Sequence, residues 1–409
     1  MLNAIWVGFF LVAFVVALAR FVFQGDSGVF VEMTQSTFAT SKAAFEIALG
    51  LTGVMTLWLG IMRIGERAGF LELLTRALTP LLKRLFPEVP ANHPALGSMV
   101  MNMGANMLGL DNAATPMGLK AMRELQTLNP SSDTASNAQI LFLVINTSSV
   151  TIFPITIFTY RAQLGAADPT DVFIPILLAT FSSTALGVLA TGLIQRLKLW
   201  DVVIFAYFGV FTLLVAGMAL YFAQLSPDQM RAQSAFISNF LLFSLIIAFI
   251  VGAALRRVNV YETFIEGAKD GFHIAIGIIP YLVAMLVAIG VFRASGAMEM
   301  LLGVVRRGIE MAGWDTRFVD GLPTALMKPL TGSGARAMMI DAMRTHGADS
   351  FAGRLASIVQ GSTETTFYVL ALYFGSVGIK RVRHAVGCGL LADAAGIIAA
   401  ILVAYLFFG

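Results

Sequence analysis

Long apolar runs alternate with short polar segments along this chain. The five plainest runs approach or exceed the roughly 20 residues that a helix needs to cross the hydrocarbon core of a bilayer. They cover residues 2–23, 44–62, 172–194, 202–222 and 236–255. The pattern therefore predicts an all-α polytopic membrane protein.

The composition agrees with a membrane location. Hydrophobic residues make up 57% of the chain, charged residues make up 12%, and the mean hydropathy is +0.81, whereas a soluble domain is about 25% charged. The first run follows no basic segment and precedes no small-residue cleavage site, so we expect a retained span. The single cysteine, Cys388, excludes an internal disulfide and a cysteine-based metal site.

Two separated parts of the chain match each other. LDNAATPMGLKAMR at 110–123 aligns without gaps with TGSGARAMMIDAMR at 331–344, and VINTSSVTIF at 144–153 aligns with IVQGSTETTF at 358–367. Each match precedes a loop and then a last apolar run, so we predict a duplication. The predicted units are a first repeat at 1–198, a connecting transmembrane pair at 199–255 and a second repeat at 256–409.

The distribution of basic residues predicts that the two repeats have opposite orientations. Basic residues flank the cytoplasmic ends of membrane spans, and several follow the second run between 63 and 84. The loop at 161–171 is acidic, whereas the corresponding loop KRVRH at 380–384 is basic. We expect about nine transmembrane helices in a bacterial cytoplasmic (inner) membrane, with the N-terminus cytoplasmic. Arg306 and Arg307 would then lie outside, against the rule.

Each half also contains a segment that is too polar for lipid and too apolar for a water-exposed loop. These segments, 92–122 and 320–343, have a Gly-, Asn- or Ser-rich break between two apolar pieces. Irregular backbone inside a membrane needs protein or a water-filled cavity to satisfy it, so we predict two re-entrant helical hairpins. Helices beginning at Asn112 and Ser333 would direct free N–H groups and positive dipole ends to the midplane. Such ends favour a polar or anionic group.

Three charged residues carry the most specific chemistry. Glu364 lies inside an apolar segment and could bind a proton, a sodium ion or a substrate donor, or it could form a structural ion pair with Arg336 or Lys328. Arg336 and Lys328 favour an anionic substrate, or they could balance the charge of Glu364. Asp111 could mirror this arrangement or cap its helix.

Neighbouring amides and hydroxyls complete the candidate set, although such groups also hydrogen-bond between membrane helices merely to join them. The candidate substrate- or ion-binding residues are Asn102, Asn106, Asp111, Asn112, Asn146, Thr147, Ser148, Ser149, Lys328, Ser333, Arg336, Gln360, Ser362, Thr363, Glu364 and Thr365. No phosphate-binding loop, no Ser-His-Asp constellation and no ligand spacing among the four histidines appear. We therefore expect no catalytic residue, no metal site and no cofactor beyond a coupling proton or Na⁺.

The motifs resemble a known family. NMGANMLGLDNAATPMGLKAM resembles bacterial spore maturation protein A, whereas MKPLTGSGARAMM and VQGSTETTFYVLALYFGSVGIK resemble spore maturation protein B. The chain therefore looks like a fusion of the two, within the nucleoside-recognition or gate group that includes concentrative nucleoside transporters and the ferrous iron transporter membrane domain. The resemblance implies hairpins and broken helices around a central pathway. Its closest counterparts to nucleoside and sodium ligands are Asn112, Asn146, Ser333, Gln360, Thr363 and Glu364.

These observations favour one function over three alternatives. The main hypothesis is a transporter or permease, not an enzyme, that moves a small polar and anionic solute through a midplane site between inverted repeats. The first alternative is a non-transporting membrane scaffold in envelope or spore maturation. Nucleoside or metal-ion transport is a weaker alternative, because Arg336 and Lys328 do not suit a neutral nucleoside and no His or Cys cluster exists. The expected partners are the lipid bilayer, the solute and further copies of the chain in a homo-oligomer, with no nucleic acid.

Overall fold

A computed structural model describes residues 2–107, 111–148, 151–225 and 227–409. Within this part of the chain the protein is helical and has no β-strand; one isolated β-bridge joins Thr134 and Arg381. The helices up to the middle of the chain are α1 (Leu2–Gln24), α2 (Val29–Arg67), α3 (Phe70–Leu85), α4 (Pro94–Met107), α5 (Asp111–Thr127), α6 (Asn137–Ser148), α7 (Ile155–Gln163), α8 (Phe173–Ile194), α9 (Val202–Ala223) and α10 (Pro227–Leu255). The remaining helices are α11 (Val260–Gly277), α12 (Ile279–Ala294), α13 (Ala297–Met311), a 3-10 turn (Arg317–Gly321), α14 (Leu322–Met327), α15 (Gly332–His346), α16 (Phe351–Ser362), α17 (Thr366–Gly375) and α18 (Ala385–Phe408).

Seven helical segments of the described chain are long and apolar enough to cross a membrane. They are α1, α2, α8, α9, α10, the continuous α11–α12 segment and α18. The five runs predicted from sequence are therefore all helical, and α2 is longer than its apolar run. The sequence predicted about nine spans; the helices of the α6–α7 and α16–α17 pairs are each too short to be included among the seven.

The two halves of the fold follow the same order of elements. A long helix is followed by an amphipathic helix, a helix–break–helix hairpin, a second broken pair and a final long helix. In the first half these elements are α2, α3, α4–α5, α6–α7 and α8, and in the second half they are α11–α12, α13, α14–α15, α16–α17 and α18. The order agrees with the repeat seen in the sequence.

The first long helices of the two halves pack together in an antiparallel manner. A Cβ atom added to Gly267 of α11 would lie 2.4 Å from the Leu59 carbonyl oxygen of α2, and one added to Gly271 would lie 2.6 Å from that of Met55. Further along α12, a Cβ at Gly290 would meet Thr40. The residue numbers of these contacts decrease along α2 as they increase along α11–α12, so the helices run in opposite directions. The glycines permit the close approach of the two backbones.

The final helices of the halves, α8 and α18, cross in the same antiparallel sense at the centre. The Ser183 hydroxyl donates to the Ala392 carbonyl at 2.9 Å, and a Cβ added to Gly187 would lie 3.0 Å from the Ala392 Cβ. A Cβ added to Gly396 would lie 3.1 Å from the Ser183 Cβ. These two helices pack against α6 and α16, the first helices of the two broken pairs.

A buried charge cluster joins the halves at one end of the fold. Arg161, at the end of α7, is fully buried and pairs with Asp171 at 2.7 Å and with Asp349 at 3.2 Å. Arg354 of α16 pairs with the other oxygen of Asp171 at 2.8 Å. The acidic loop noted in the sequence is thus neutralised by arginines from both halves.

The amphipathic helix α13, which corresponds to α3, carries Arg306, one of the two basic residues that do not fit the predicted orientation. In α3 the side chains of Leu81, Leu82 and Leu85 are buried, and α13 is the counterpart of α3 in the second half. Arg306 lies on α13 and pairs with Asp320 at 2.7 Å. Its charge is therefore partly neutralised within the protein, which weakens its use as an orientation signal.

Candidate functional site

The breaks between the short helices of both halves meet at one place. The Glu364 amide, in the α16–α17 break, donates to the Thr147 carbonyl near the end of α6 at 2.7 Å. The Phe367 amide donates to the Pro329 carbonyl in the α14–α15 break at 3.1 Å, and the Ile152 amide donates to the Met107 carbonyl at the end of α4 at 3.0 Å. Backbone N–H and C=O groups that have no helical partner at one break thus bond to groups at another break. Irregular backbone inside a membrane requires such partners.

A polar cavity of about 70 Å³ lies beside this junction. It has room for a few water molecules and is much smaller than the several hundred Å³ of a typical ligand pocket. Its walls come from the 151–157 segment with Tyr160, from α15 and from the α16–α17 break. The side chains that line it and carry polar atoms are those of Thr151, Thr156, Tyr160, Lys328, Arg336, Gln360, Thr363 and Glu364.

Three of the four charged candidates from the sequence lie on this cavity. Lys328 is 2% exposed, Arg336 is half-buried, and Glu364 is exposed. The Arg336 guanidinium lies 5.8 Å from the centre of the Tyr160 ring, a cation–π arrangement. The ion pairs of the described residues do not include Glu364, and the choice between a structural pair with Arg336 or Lys328 and a binding role stays a prediction.

The hydroxyl and amide candidates near Glu364 divide between the cavity and the protein core. Gln360 and Thr363 line the cavity, and the Gln360 Oε1 atom has no hydrogen-bond partner within the described residues. Thr147 and Thr365 are buried with hydroxyl oxygens that also lack a partner there. Thr365 lies against Gly332, at the start of α15. Unsatisfied polar atoms in a buried region indicate a place that water or a ligand would occupy.

The asparagine candidates form a separate network on the side of α4 and α6. The Asn106 Nδ2 atom and the Tyr373 hydroxyl donate to the Asn146 Oδ1 atom at 3.0 and 3.2 Å. The Asn102 Nδ2 atom donates to the Ala114 carbonyl at 2.8 Å and lies 3.3 Å from the Tyr373 oxygen. Asn106 and Asn146 also border an apolar crevice of about 130 Å³. This network joins helices, which matches the alternative role stated for these residues.

Other candidates contact their own backbone. Ser148 and Ser362 donate to carbonyls three residues earlier, Ile145 at 3.1 Å and Val359 at 2.8 Å. The residue that caps α15 is Thr331, whose hydroxyl accepts from the Gly334 amide, so the predicted start at Ser333 is wrong; Ser333 lies 3.1 Å from the Thr331 hydroxyl. A Thr in extended conformation is a good N-cap because its oxygen reaches the third residue of the helix.

The counterpart hairpin is described only in part. The backbone of α5 begins at Asp111, followed by Asn112, but the side chains of both residues lie outside the described residues, as does all of Ser149. Their predicted roles as caps or ligands therefore stay predictions.

The structure adds an acidic residue that the sequence analysis missed. Asp393 lies in the middle of α18, is 1% exposed, and accepts a hydrogen bond from the Thr366 hydroxyl at 2.6 Å. It is the only charged residue of the last apolar run. The rule that selected Glu364, an ionisable group inside a span, would have found it.

Comparisons with known proteins give the chain a context. The sequence model of the family described as "Gate: Nucleoside recognition" matches residues 48–167 and 275–380. The chain is 46% identical over 177 residues to spore maturation protein B of Bacillus subtilis (strain 168), a match covering 42% of this chain and 98% of that protein. It is 38% identical over 183 residues to spore maturation protein A of the same organism, covering 45% of this chain and 90% of that protein. The two relatives match different parts of the chain, in agreement with the predicted fusion. No solved structure matches the chain at a significant level.

Proposed function

Since this chain belongs to the Gate, or nucleoside-recognition, family, we propose that it is a membrane transporter that moves a small anionic solute past Lys328, Arg336 and Glu364. The observation that carries the proposal is the cavity itself. Two cations and one carboxylate line it, which leaves one formal positive charge. In a water-poor interior such a charge attracts an anion much more strongly than it would in water.

A neutral solute such as a nucleoside fits this cavity less well than an anion. The Arg336 guanidinium, which lines the cavity, can bind a carboxylate or phosphate through two parallel hydrogen bonds. The first residues of α7, Ile155 to Ile157, also line the cavity. The N-terminal end of a helix carries partial positive charge and favours an anion.

The proposed pathway lies between inverted repeats. The antiparallel packing of α2 on α11–α12 and of α8 on α18 supports this arrangement, because each pair joins corresponding helices of the two halves. The helix α4 is about 21 Å long at 1.5 Å per residue, too short for a hydrocarbon core of about 30 Å. That length supports hairpins α4–α5 and α14–α15 that enter the membrane and return.

Movement of the hairpins is part of the proposal. The cavity of about 70 Å³ holds no organic anion of metabolite size, so the conformation described is a closed one. Opening would separate α15 from α7 and expose Arg336 to one side of the membrane. A coupling proton or Na⁺ at Glu364, which faces the cavity without an ion pair in the described residues, would bias this movement.

The test is thermal unfolding of the purified protein against a panel of ligands, with the wild type compared with Arg336→Gln and Arg381→Gln. Arg381 is a matched control, because its side chain is 73% exposed and outside the cavity. A ligand that binds only the folded state stabilises it, by about 2.7 kcal/mol at a hundred times its Kd. The panel holds dicarboxylates, phosphorylated metabolites, nucleosides and Na⁺.

The outcomes separate the candidate functions. A shift caused by one anion class, absent in Arg336→Gln and kept in Arg381→Gln, followed by uptake of that anion into proteoliposomes, supports transport at this cavity. A shift from nucleosides alone contradicts the anionic solute. No shift from any compound, with Arg336→Gln merely less stable, favours the non-transporting scaffold.

A further inference from the structure

The carboxyl group of Asp393 is buried in the core without a full set of partners. Its Oδ2 atom accepts from the Thr366 hydroxyl at 2.6 Å, whereas its Oδ1 atom has no hydrogen-bond partner within the described residues. It also forms no ion pair there. An ionised carboxylate with one hydrogen bond in such a place is costly, and the ordinary solution is to carry a proton or to hold a cation.

The face of α18 that carries Asp393 packs closely against the α16–α17 break, because two glycines lie beside Asp393 on this face. Gly389 and Gly396 lie one turn before and one turn after it on the same face of α18. A Cβ atom added to Gly389 would lie 2.8 Å from the Thr366 Cγ2 atom, and one added to Gly396 would lie 2.6 Å from the Thr363 Cγ2 atom. Thr363 also lines the polar cavity, so this side chain contacts both the cavity and the face of α18 that carries Asp393.

Few charged groups surround this carboxyl group. The neighbouring helices α6, α8 and α17 contain no charged residue, although α17 contributes Tyr368 and Tyr373. The only charged residue of α16, Arg354, pairs with Asp171. On α10 the charged residues, Asp228 and Arg231, lie in its first two turns. The charges that act on Asp393 are those of Lys328 and Glu364, at the cavity.

The first half of the fold has a neutral group at the corresponding position. The sequence LLAT at 177–180 of α8 aligns with LLAD at 390–393 of α18. There the Thr180 hydroxyl donates to the Ser148 carbonyl at 3.3 Å, at the α6–α7 break. The two halves thus use the same position to contact a break, but only the second half places an ionisable group there.

We propose that Asp393 is a proton-binding site, protonated in this closed conformation, that exchanges its proton with the cavity past Thr363. A proton from cavity water adds to a lone pair of the Oδ1 atom and returns to water when it leaves, so no other bond forms or breaks. Loss of the proton creates a buried charge that the Thr366 hydroxyl, with Lys328 and Thr363 nearby, compensates only in part, which favours a conformation that admits water to the break. A contribution of Asp393 to coupling, in addition to that of Glu364, rests on the proposed function, whereas the proton site itself does not.

The test is infrared difference spectroscopy of the purified protein between about pH 5 and about pH 9. A buried carboxyl group can gain or lose its proton within this range. A protonated carboxyl group has a C=O stretching band that is separate from that of a carboxylate. The wild type is compared with Asp393→Asn, which keeps the shape of the neutral acid, with Asp393→Thr, which copies Thr180, and with Glu364→Gln. We expect a band that persists at low pH, is lost at high pH, is kept in Glu364→Gln and is absent in both Asp393 variants.

Two results would overturn the proton site. One is that wild-type and Asp393→Asn spectra are the same across the range, and the other is that the band disappears in Glu364→Gln but stays in the Asp393 variants. If Asp393→Asn does not fold, Asp393→Thr gives the same comparison with a residue that the protein already uses at the equivalent position. If the band behaves as expected while no anion binds or is taken up, the proton site is supported and the proposed function fails.

Discussion

The Glu364 amide donates to the Thr147 carbonyl at 2.7 Å, and this bond joins the broken helix pair of the second half to that of the first. The two residues lie within sequences that align with each other, VINTSSVTIF and IVQGSTETTF. The backbone bond leaves the Glu364 side chain facing the polar cavity. The contact between the halves and the proposed ion-coupling group therefore belong to one residue.

The first prediction concerns Glu364. In Glu364→Gln, we expect thermal stability to change by less than about 1 kcal/mol, because the side chain is exposed and forms no ion pair in the described residues. We expect the ion dependence of uptake to be lost, because glutamine cannot bind a proton or balance Na⁺. Uptake into proteoliposomes with imposed pH and Na⁺ gradients measures this. Unchanged gradient dependence would show that Glu364 is not the coupling group.

The second prediction concerns the buried charge cluster that joins the halves. Arg161→Ala should destabilise the protein by roughly 3 kcal/mol, because it leaves the partly buried carboxylates of Asp171 and Asp349 with weaker compensation. The control is Arg381→Ala, whose exposed pair with Asp133 should contribute about 1 kcal/mol or less. Thermal unfolding in detergent compares the two. Equal losses of stability would contradict a special role for the buried cluster.

The third prediction concerns the packing of α2 on α11. Gly267→Ala places a methyl group 2.4 Å from the backbone oxygen of Leu59, and a backbone cannot rotate away as a side chain can. We expect a loss of about 1–3 kcal/mol, as for other overpacked sites. Gly277→Ala is the control in the same helix, because nothing lies within 4 Å of its added Cβ. Helix separation is the expected structural response, and similar melting temperatures for both variants would rule out the close contact.

The fourth prediction concerns pH and His384, which precedes α18. Burial and the nearby Arg383 lower the pKa of the imidazole. The unfolded chain therefore binds a proton at a higher pH than the folded chain does, so stability is fully present above about pH 6.5 and falls as the pH drops through and below that value. The geometry agrees, since the neutral Nε2 atom of His384 can accept from the Gln195 Nε2 atom at 3.1 Å, whereas a protonated one cannot.

The measurement is the melting temperature of the wild type and of His384→Gln across this pH range. We expect the wild type to lose more stability than the variant on acidification, because glutamine offers an acceptor that does not titrate. If the two curves stay parallel, His384 does not cause the pH dependence.

Sequence alone determined the class of this protein, because apolar runs of bilayer length have few other stable solutions. It also determined the membership of the family and the region of the α14–α15 break, although α15 begins at Gly332 and not at Ser333. It selected Lys328, Arg336, Gln360, Thr363 and Glu364, which the fold brings to one cavity.

Only the tertiary structure decided which candidates share a site and which join helices. The pattern that contains Asn102, Asn106 and Asn146 looks the same as the pattern around Gln360, yet Asn102 and Asn146 bond to Tyr373 of the other half. Pairing across 227 residues of chain depends on how whole helices pack, which local composition does not encode. The partners of Glu364 and the isolation of Asp393 arise for the same reason: a carboxyl group's environment is set by the helices that surround it, not by its neighbours in sequence.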